Sequence, residues 1–325
     1  MKEIVITQNE AGQRLDKFLR KYLKDMSLGN IYKAIRKKEI KVNNLKSSEK
    51  YILNEGDVLQ FYFHVGEETK KKEDKKIIKK IMDIEYDFDI AYEDSSILVV
   101  KKGKGVLTHP DEGDEATLTC QVIAYLYDNG VYDPEKEKTF SPSPCNRLDK
   151  NTEGLVIFAK NYEALKSINE AIREGNLKKY YMALTVGKPK EGRHIAHIQK
   201  DRRANKVRVF DDEVKNSKEI ITDVKIIDTV GQFSQVEVDL ITGKSHQIRA
   251  HLAHLDAPLV GDHKYGDKKI NSFFKNRFGI EDQMLVAYKI IFKNCSEGIK
   301  HLEGKTISMQ LPHYFKKIKN DVFKF

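Results

Sequence analysis

A chain of 325 residues, 33% of them charged, is long enough for two units with a sizeable buried core. Its 58 Lys and Arg against 49 Asp and Glu leave a formal net charge of +9, which points to an anionic partner, nucleic acid first. Cys120, Cys145 and Cys295 are scattered and odd in number, which excludes a disulfide framework and zinc spacing. No stretch approaches a membrane span and Met1 to Glu10 holds no apolar signal core, so a cytoplasmic protein with no membrane partner is expected.

Residues 1–65 read as a first unit. Ile4-Val5-Ile6 predicts a strand, and Gly12 to Leu23 places Leu15, Phe18, Leu19, Tyr22 and Leu23 at helical spacing. A second helix over Gly29 to Lys38 turns Ile31, Ala34 and Ile35 inward. Strands follow over Ile40 to Val42 and Val58 to Phe63, with turns at Asn43-Asn44 and Gly56-Asp57. Within residues 11–50 lie twelve Lys and Arg against four acids, nearly the whole charge excess of the chain. Two basic helices beside a small sheet make a compact RNA-binding unit.

Residues 66–82 are charged with little apolar pattern and predict a mobile linker. The remainder, 83–325, predicts an α+β unit. Strands are expected over Ile90 to Tyr92, Ile97 to Val100, Leu155 to Ala159, Tyr180 to Val186, Lys206 to Phe210, Ile221 to Ile227, Gln235 to Leu240, Val286 to Phe292 and Thr306 to Gln310. Helices are expected over Thr117 to Tyr127, Tyr162 to Glu174 and Ser245 to Leu255, and Lys102 to Gly105 reads as a turn. Strands mostly follow strands, which predicts a mixed, mainly antiparallel sheet rather than a doubly wound fold.

Two polar stretches stand out. In Asn146-Arg147-Leu148-Asp149-Lys150, Asp149 sits on the turn entering the apolar run Leu155 to Ala159, held by rigid structure yet able to face a cleft. Arg147 and Lys150 flank it. The second, Thr242-Gly243-Lys244-Ser245-His246-Gln247-Ile248-Arg249, is a cationic turn leading into a helix. Such a turn offers N–H groups and cations to phosphate. Arg249, just inside the helix, can aim a planar fork at a carboxylate. His246, His251 and His254 lack acidic or thiolate partners in a ligand pattern, so no metal is expected. Tyr180 and Tyr181 alternate across a strand, one for the core and one for a cleft, where an aromatic ring can stack on an unpaired base.

The first unit resembles an S4 domain, through Gly12-Gln13-Arg14-Leu15-Asp16-Lys17-Phe18-Leu19, Ile40-Lys41-Val42-Asn43 and Glu55-Gly56-Asp57-Val58. The rest resembles RluA-type pseudouridine synthases, most closely the branch acting on large-subunit ribosomal RNA. That resemblance is carried by Asn146-Arg147-Leu148-Asp149 with Thr152 and Gly154-Leu155, by Lys179-Tyr180-Tyr181-Met182-Ala183, by Thr242 to Arg249, and by Pro258 to Gly266.

The resemblance implies isomerisation of uridine to pseudouridine: the C1′–N1 bond breaks, the uracil rotates and C5 bonds to C1′. No cofactor is needed, and ribosomal RNA is the implied partner of a monomeric, cytoplasmic enzyme, with no DNA. It implies Asp149, Tyr181 and Arg249 as catalytic residues. Asp149 would either attack C1′ or take the C2′ proton, and Tyr181 would stack on the uracil or help remove the C5 proton. The expected RNA contacts are Arg14, Lys17, Lys33, Arg36, Lys37, Lys41, Arg147, Lys244, His246 and Gln247. Asn146 stands where His is frequent in this family, Gly103 where Pro is common and Lys244 where Arg is usual; these bear on loop geometry and on the choice of uridine. The alternatives are a non-catalytic S4-type RNA-binding or ribosome-assembly protein, and a metal-dependent nuclease using the histidines.

Overall fold

The computed structural model describes residues 1–65, 78–79, 81–110, 116–201 and 206–322. The expected linker over 66–82 falls largely outside them; of its described part, Ile81 is buried.

In the front unit, β1 (Lys2–Val5), β2 (Ile40–Val42) and β3 (Val58–Phe61) form an antiparallel sheet ordered β1-β3-β2. Helices α1 (Leu15–Tyr22) and α2 (Leu28–Arg36) cover it. The apolar residues predicted to turn inward do so: Leu15, Phe18, Leu19, Ile31 and Ile35 pack on Leu59 and Phe61. α1 starts later than the spacing predicts, because Arg14 is extended and the Leu15 amide donates to the Tyr51 carbonyl. The Ser27 hydroxyl caps α2 by accepting from the Asn30 amide.

The second unit is built on one eleven-stranded sheet. Along it run β4 (Asp89–Glu93), β5 (Ile97–Lys102), β7 (Glu153–Ala159), β13 (Leu285–Phe292), β8 (Leu177–Val186), β12 (Phe233–Leu240), β11 (Lys218–Val230), β9 (Gly192–Asp201) and β10 (Lys206–Phe210). The short strands β6 (Ser143–Pro144) and β14 (Thr306–Ser308) pair with β7 and β13. The pairings are antiparallel except β7 with β13, so the sheet is mixed and mainly antiparallel as expected. The helices are α3 (Leu118–Asp128), α4 (Tyr162–Arg173), α5 (Gln247–His254), α6 (Lys268–Phe278) and α7 (His313–Val322).

β6, β9, α6 and α7 go beyond the sequence expectations. β9 alternates, but its inward side chains are only Ala196 and Ile198 among Arg, His and Lys, so its period of two is masked. α6 begins at Asp267, whose carboxylate accepts from the Lys269 and Ile270 amides, a cap visible in the sequence once sought. α7 docks Phe315 and Ile318 against Met182, Val286 and Phe274.

Where β7 meets β13, Gly154 lies opposite Ala287, and Ala287 lies opposite Tyr181 of β8. Gly154 has φ +137°, and a Cβ there would stand 2.3 Å from the Ala287 carbonyl oxygen. The close approach packs the start of β7 tightly on β13, whose Ala287 carries Tyr181 of β8 on its other side. The front unit touches this body through Asn9, whose amide donates to Glu137 at 2.8 Å and whose Oδ1 accepts from the Tyr162 amide at 3.2 Å.

Candidate active site

The turn carrying Asp149 is held at each step. Asn146 lies along β7, donating to the Leu155 carbonyl and accepting from the Ile157 amide, so it substitutes for a strand partner at the turn's entry. Leu148 exchanges two hydrogen bonds with the Thr108 hydroxyl. The Asp149 carbonyl accepts from the Thr152 amide. Asn151 donates to Asp282, and Thr152 accepts from Gln283 at 3.0 Å.

Lys102, predicted to open a surface turn, instead ends β5 and is buried. Its ammonium donates to the carbonyls of Gly103, Val106 and Lys150, each at 2.8 Å. The last of these fixes the residue after Asp149. Burial brings the Lys102 ammonium down to about 8, against the opposing charges of Asp149 and Glu153.

Opposite the turn, α5 presents Arg249. Its Nη1 donates to Asp149 at 2.8 Å, so the two catalytic residues expected from sequence do meet. The planar fork, however, does not grip Asp149. It grips Asp262, with Nε to Oδ2 at 2.6 Å and Nη2 to Oδ1 at 2.9 Å. Asp262 is fully buried and also accepts from the Lys264 and Tyr265 amides, so each of its oxygens is satisfied. Burial alone would raise that carboxyl, but Arg249 and the two amides hold it below the usual range. Burial works against the Arg249 charge too, and Asp262 and Asp149 more than offset it. Asp262 follows Gly261, where φ is +78° and a Cβ would stand 2.2 Å from the Asp282 carbonyl oxygen. Asp262 lies inside the motif Pro258 to Gly266 but is absent from the site residues expected from sequence; its adjacency to that glycine is the available signal.

Asp149 keeps 26% of its side chain exposed while Arg249 keeps 8%. One carboxylate oxygen is thus committed to Arg249 while the group still meets solvent. Tyr181 completes the set from β8, packed with Val238, Leu259 and Ala287. Burial, then the nearby Asp149 charge, pushes its phenol well up, so the hydroxyl stays protonated near neutral pH. Tyr180 points to the other face, where Lys289 lies 4.3 Å from its ring centroid.

The remaining candidates divide. Arg147 and Lys244 are exposed, and His246 is half-buried at the start of α5 in a left-handed conformation. Gln247, expected at RNA, lies inside the protein instead. It is 2% exposed, accepts from the Thr242 hydroxyl and the Lys244 amide, and donates to the Ile221 carbonyl and the Thr222 hydroxyl. Its whole amide is used to fasten the turn to β11, which leaves nothing for RNA. His251 is buried against Thr222, and His254 faces Asp211 at the surface, so the two do not share partners. In the front unit, Lys17, Lys33, Arg36 and Lys37 are exposed; Arg14 is clasped by Asp16 at 2.7 and 3.0 Å, and Lys41 lies 4.8 Å from the Tyr62 ring.

The family model for RNA pseudouridylate synthase matches residues 96–254, which span the Asp149 turn and Arg249. A Mycoplasma capricolum protein named as an uncharacterized RNA pseudouridine synthase is 32% identical, over 94% of this chain and 97% of its own. A ribosomal large subunit pseudouridine synthase C from Buchnera aphidicola is 33% identical, over 88% of each. The solved human RNA pseudouridylate synthase domain containing 4 shares the fold, with TM-score 0.56 and 22% identity, covering 78% of this chain and 97% of that one. Among the described residues no helix is long and apolar enough to cross a membrane. With this site geometry and relatives this similar along nearly their whole length, the chain belongs to the RNA pseudouridine synthase family.

Proposed function

We propose that this isomerase converts specific uridines of large-subunit ribosomal RNA to pseudouridine, acting as a monomer in the cytoplasm with no cofactor. The observation that carries the assignment of roles is the chain Asp262–Arg249–Asp149. A buried, fully satisfied carboxylate orients a guanidinium, which in turn orients one oxygen of a partly exposed carboxylate. Asp149 acts on the ribose, at C1′ as nucleophile or at C2′ as base, and the hydrogen bond from Arg249 aims it by holding one of its oxygens. Tyr181, protonated and beside Asp149, lies under the uracil and supports its rotation and the loss of the C5 proton. The target base must leave its stack, at a cost of a few kcal/mol in paired RNA. The exposed cations of the S4-like domain over 1–65 and Arg147 and Lys244 at the cleft supply phosphate contacts that offset this.

The test has two arms. Pseudouridines are mapped in ribosomal RNA from cells with and without the gene, and the purified protein is compared with Asp149→Asn. The variant should fold and bind RNA while its rate falls by at least about 10³-fold. Residual turnover near wild type would remove Asp149 from the mechanism, and an unchanged ribosomal map would redirect the substrate.

A further inference from the structure

Next to Arg249, the side chain of Tyr265 joins β10 to α5. Its hydroxyl accepts from the Val207 amide of β10 at 2.9 Å and lies 3.0 Å from His246 Nδ1, at the cap of α5. Its ring faces Arg249, with the guanidinium carbon 5.5 Å from the ring centroid. Its backbone amide donates to Asp262, the carboxylate that grips Arg249. Each bond has a distinct chemical role: the hydroxyl oxygen takes the Val207 hydrogen, its own hydrogen can go to Nδ1, and the ring meets the cation.

The Val207 bond is unusual for a strand. Among the described residues β10 is the outer strand of the sheet and pairs with β9, at Val207 opposite Lys200. Its amide spends its hydrogen on a side chain of the active-site motif. The β9–β10 ladder presents Lys200 and Lys206 to solvent, so cations flank the bonded position. Ala196, Ile198 and Val207 of the same ladder pack with Ala250 of α5 and with Tyr265 itself.

We propose that Tyr265 is a positioning residue that makes the aim of Arg249 at Asp149 depend on the placement of β10, so that RNA phosphate held by the β9–β10 ladder is registered at the reacting carboxylate. The inference rests on the assignment of Asp149 made above. A ladder held in place by RNA fixes the Tyr265 hydroxyl through Val207. The tyrosine then fixes the start of α5 through His246 and the guanidinium through its ring. Binding at the edge of the sheet and alignment at its centre become one event.

The test is a double-mutant cycle in single-turnover kinetics at saturating ribosomal RNA, with Asp149→Asn in the same assay. Tyr265→Phe keeps the ring and removes both hydroxyl bonds. Val207→Pro removes the amide hydrogen that Tyr265 takes, and proline is tolerated on an outer strand where the ladder does not use that hydrogen. Each single variant should slow the chemical step about tenfold, change RNA affinity less than about twofold and leave thermal stability close to wild type. The double variant should be no slower than the slower single one, because both break the same link. Multiplying effects, an effect on affinity alone, or an unchanged rate in Tyr265→Phe would overturn the inference. A Tyr265→Phe enzyme at full rate beside an inactive Asp149→Asn overturns the inference alone. Full activity in Asp149→Asn overturns the assignment on which it rests.

Discussion

The two ends of the molecule treat their cations in opposite ways. In the front unit the cluster around Phe18, Leu59 and Phe61 is apolar, the buried charges are the acids Glu10, Asp16 and Asp57, and the cations Lys17, Lys33, Arg36 and Lys37 stand in solvent. Around Asp149 the charges go inside: Lys102, Arg249 and Asp262 are each less than 9% exposed. Exposed cations are screened and rearrange freely, so they supply affinity and salt dependence but little geometry. Buried charges with every bond satisfied carry a desolvation cost and have one arrangement, so they supply geometry. The contrast teaches which half should respond to salt and which to the removal of a single hydrogen bond.

The contrast breaks most sharply at Asp262. Asp262→Asn removes one partner of a buried pair and should lower stability by about 3 kcal/mol and the rate about a hundredfold. Chemical denaturation and single-turnover kinetics measure the two, and a variant with full stability would mean the buried pair is not what holds Arg249. Arg249→Lys is milder, since it keeps the charge and loses the fork. It should fold, bind RNA with near-normal affinity and turn over well over tenfold more slowly.

Lys102 sharpens the comparison through pH. Its ammonium donates three hydrogens to three carbonyls, and the neutral amine above about 8 has only two to give. Activity attributable to this anchor is therefore present below about 8 and falls above it. Stability runs the other way. Between about 8 and the ordinary 10.5, the unfolded chain keeps a proton that the folded chain has lost, so this group's contribution to stability rises with pH. Rates at pH 7 and 9 should differ several-fold without a matching loss of thermal stability, and Lys102→Arg should flatten the fall. A wild-type rate that is level across this range would contradict the anchor role.

The smallest effect on chemistry belongs to the front unit. Replacing Lys33, Arg36 and Lys37 by Gln should leave the rate at saturating RNA within about twofold. The slope of log affinity against log salt should drop by ~0.7 for each RNA phosphate that these cations no longer neutralise. An unchanged slope would show that these helices do not face RNA.

What can be read from the sequence follows the same division. α1 and α2 declare themselves because their apolar residues recur at helical spacing and their cations fill the other face. The Asp149 turn is legible because a dense polar run abuts the five-residue apolar stretch Leu155 to Ala159. Gln247 misleads because a polar residue after a polar turn gives no local sign of burial; its partners Ile221 and Thr222 lie on a strand earlier in the chain. The fork of Arg249 reads from sequence as aimed at a carboxylate, and nothing in spacing tells Asp149 from Asp262. Burial decides it: the guanidinium pairs fully with the carboxylate that has no water, Asp262, and lends one bond to the one that has some.

The place of β13 has a consequence for the life of the chain during synthesis. This strand comes late in the sequence yet lies between β7 and β8 at the middle of the sheet. Thr152, at the end of the Asp149 turn, takes its hydrogen bond from Gln283, 131 residues away in the chain. A nascent chain that has already made Asp149, Tyr181 and Arg249 therefore has its reacting groups but no strand to seat them side by side. Closing so long a loop is slow and costs chain entropy until the last central strand arrives. The sheet that seats these groups side by side can close only after the strand that fills the gap between β7 and β8 has been made.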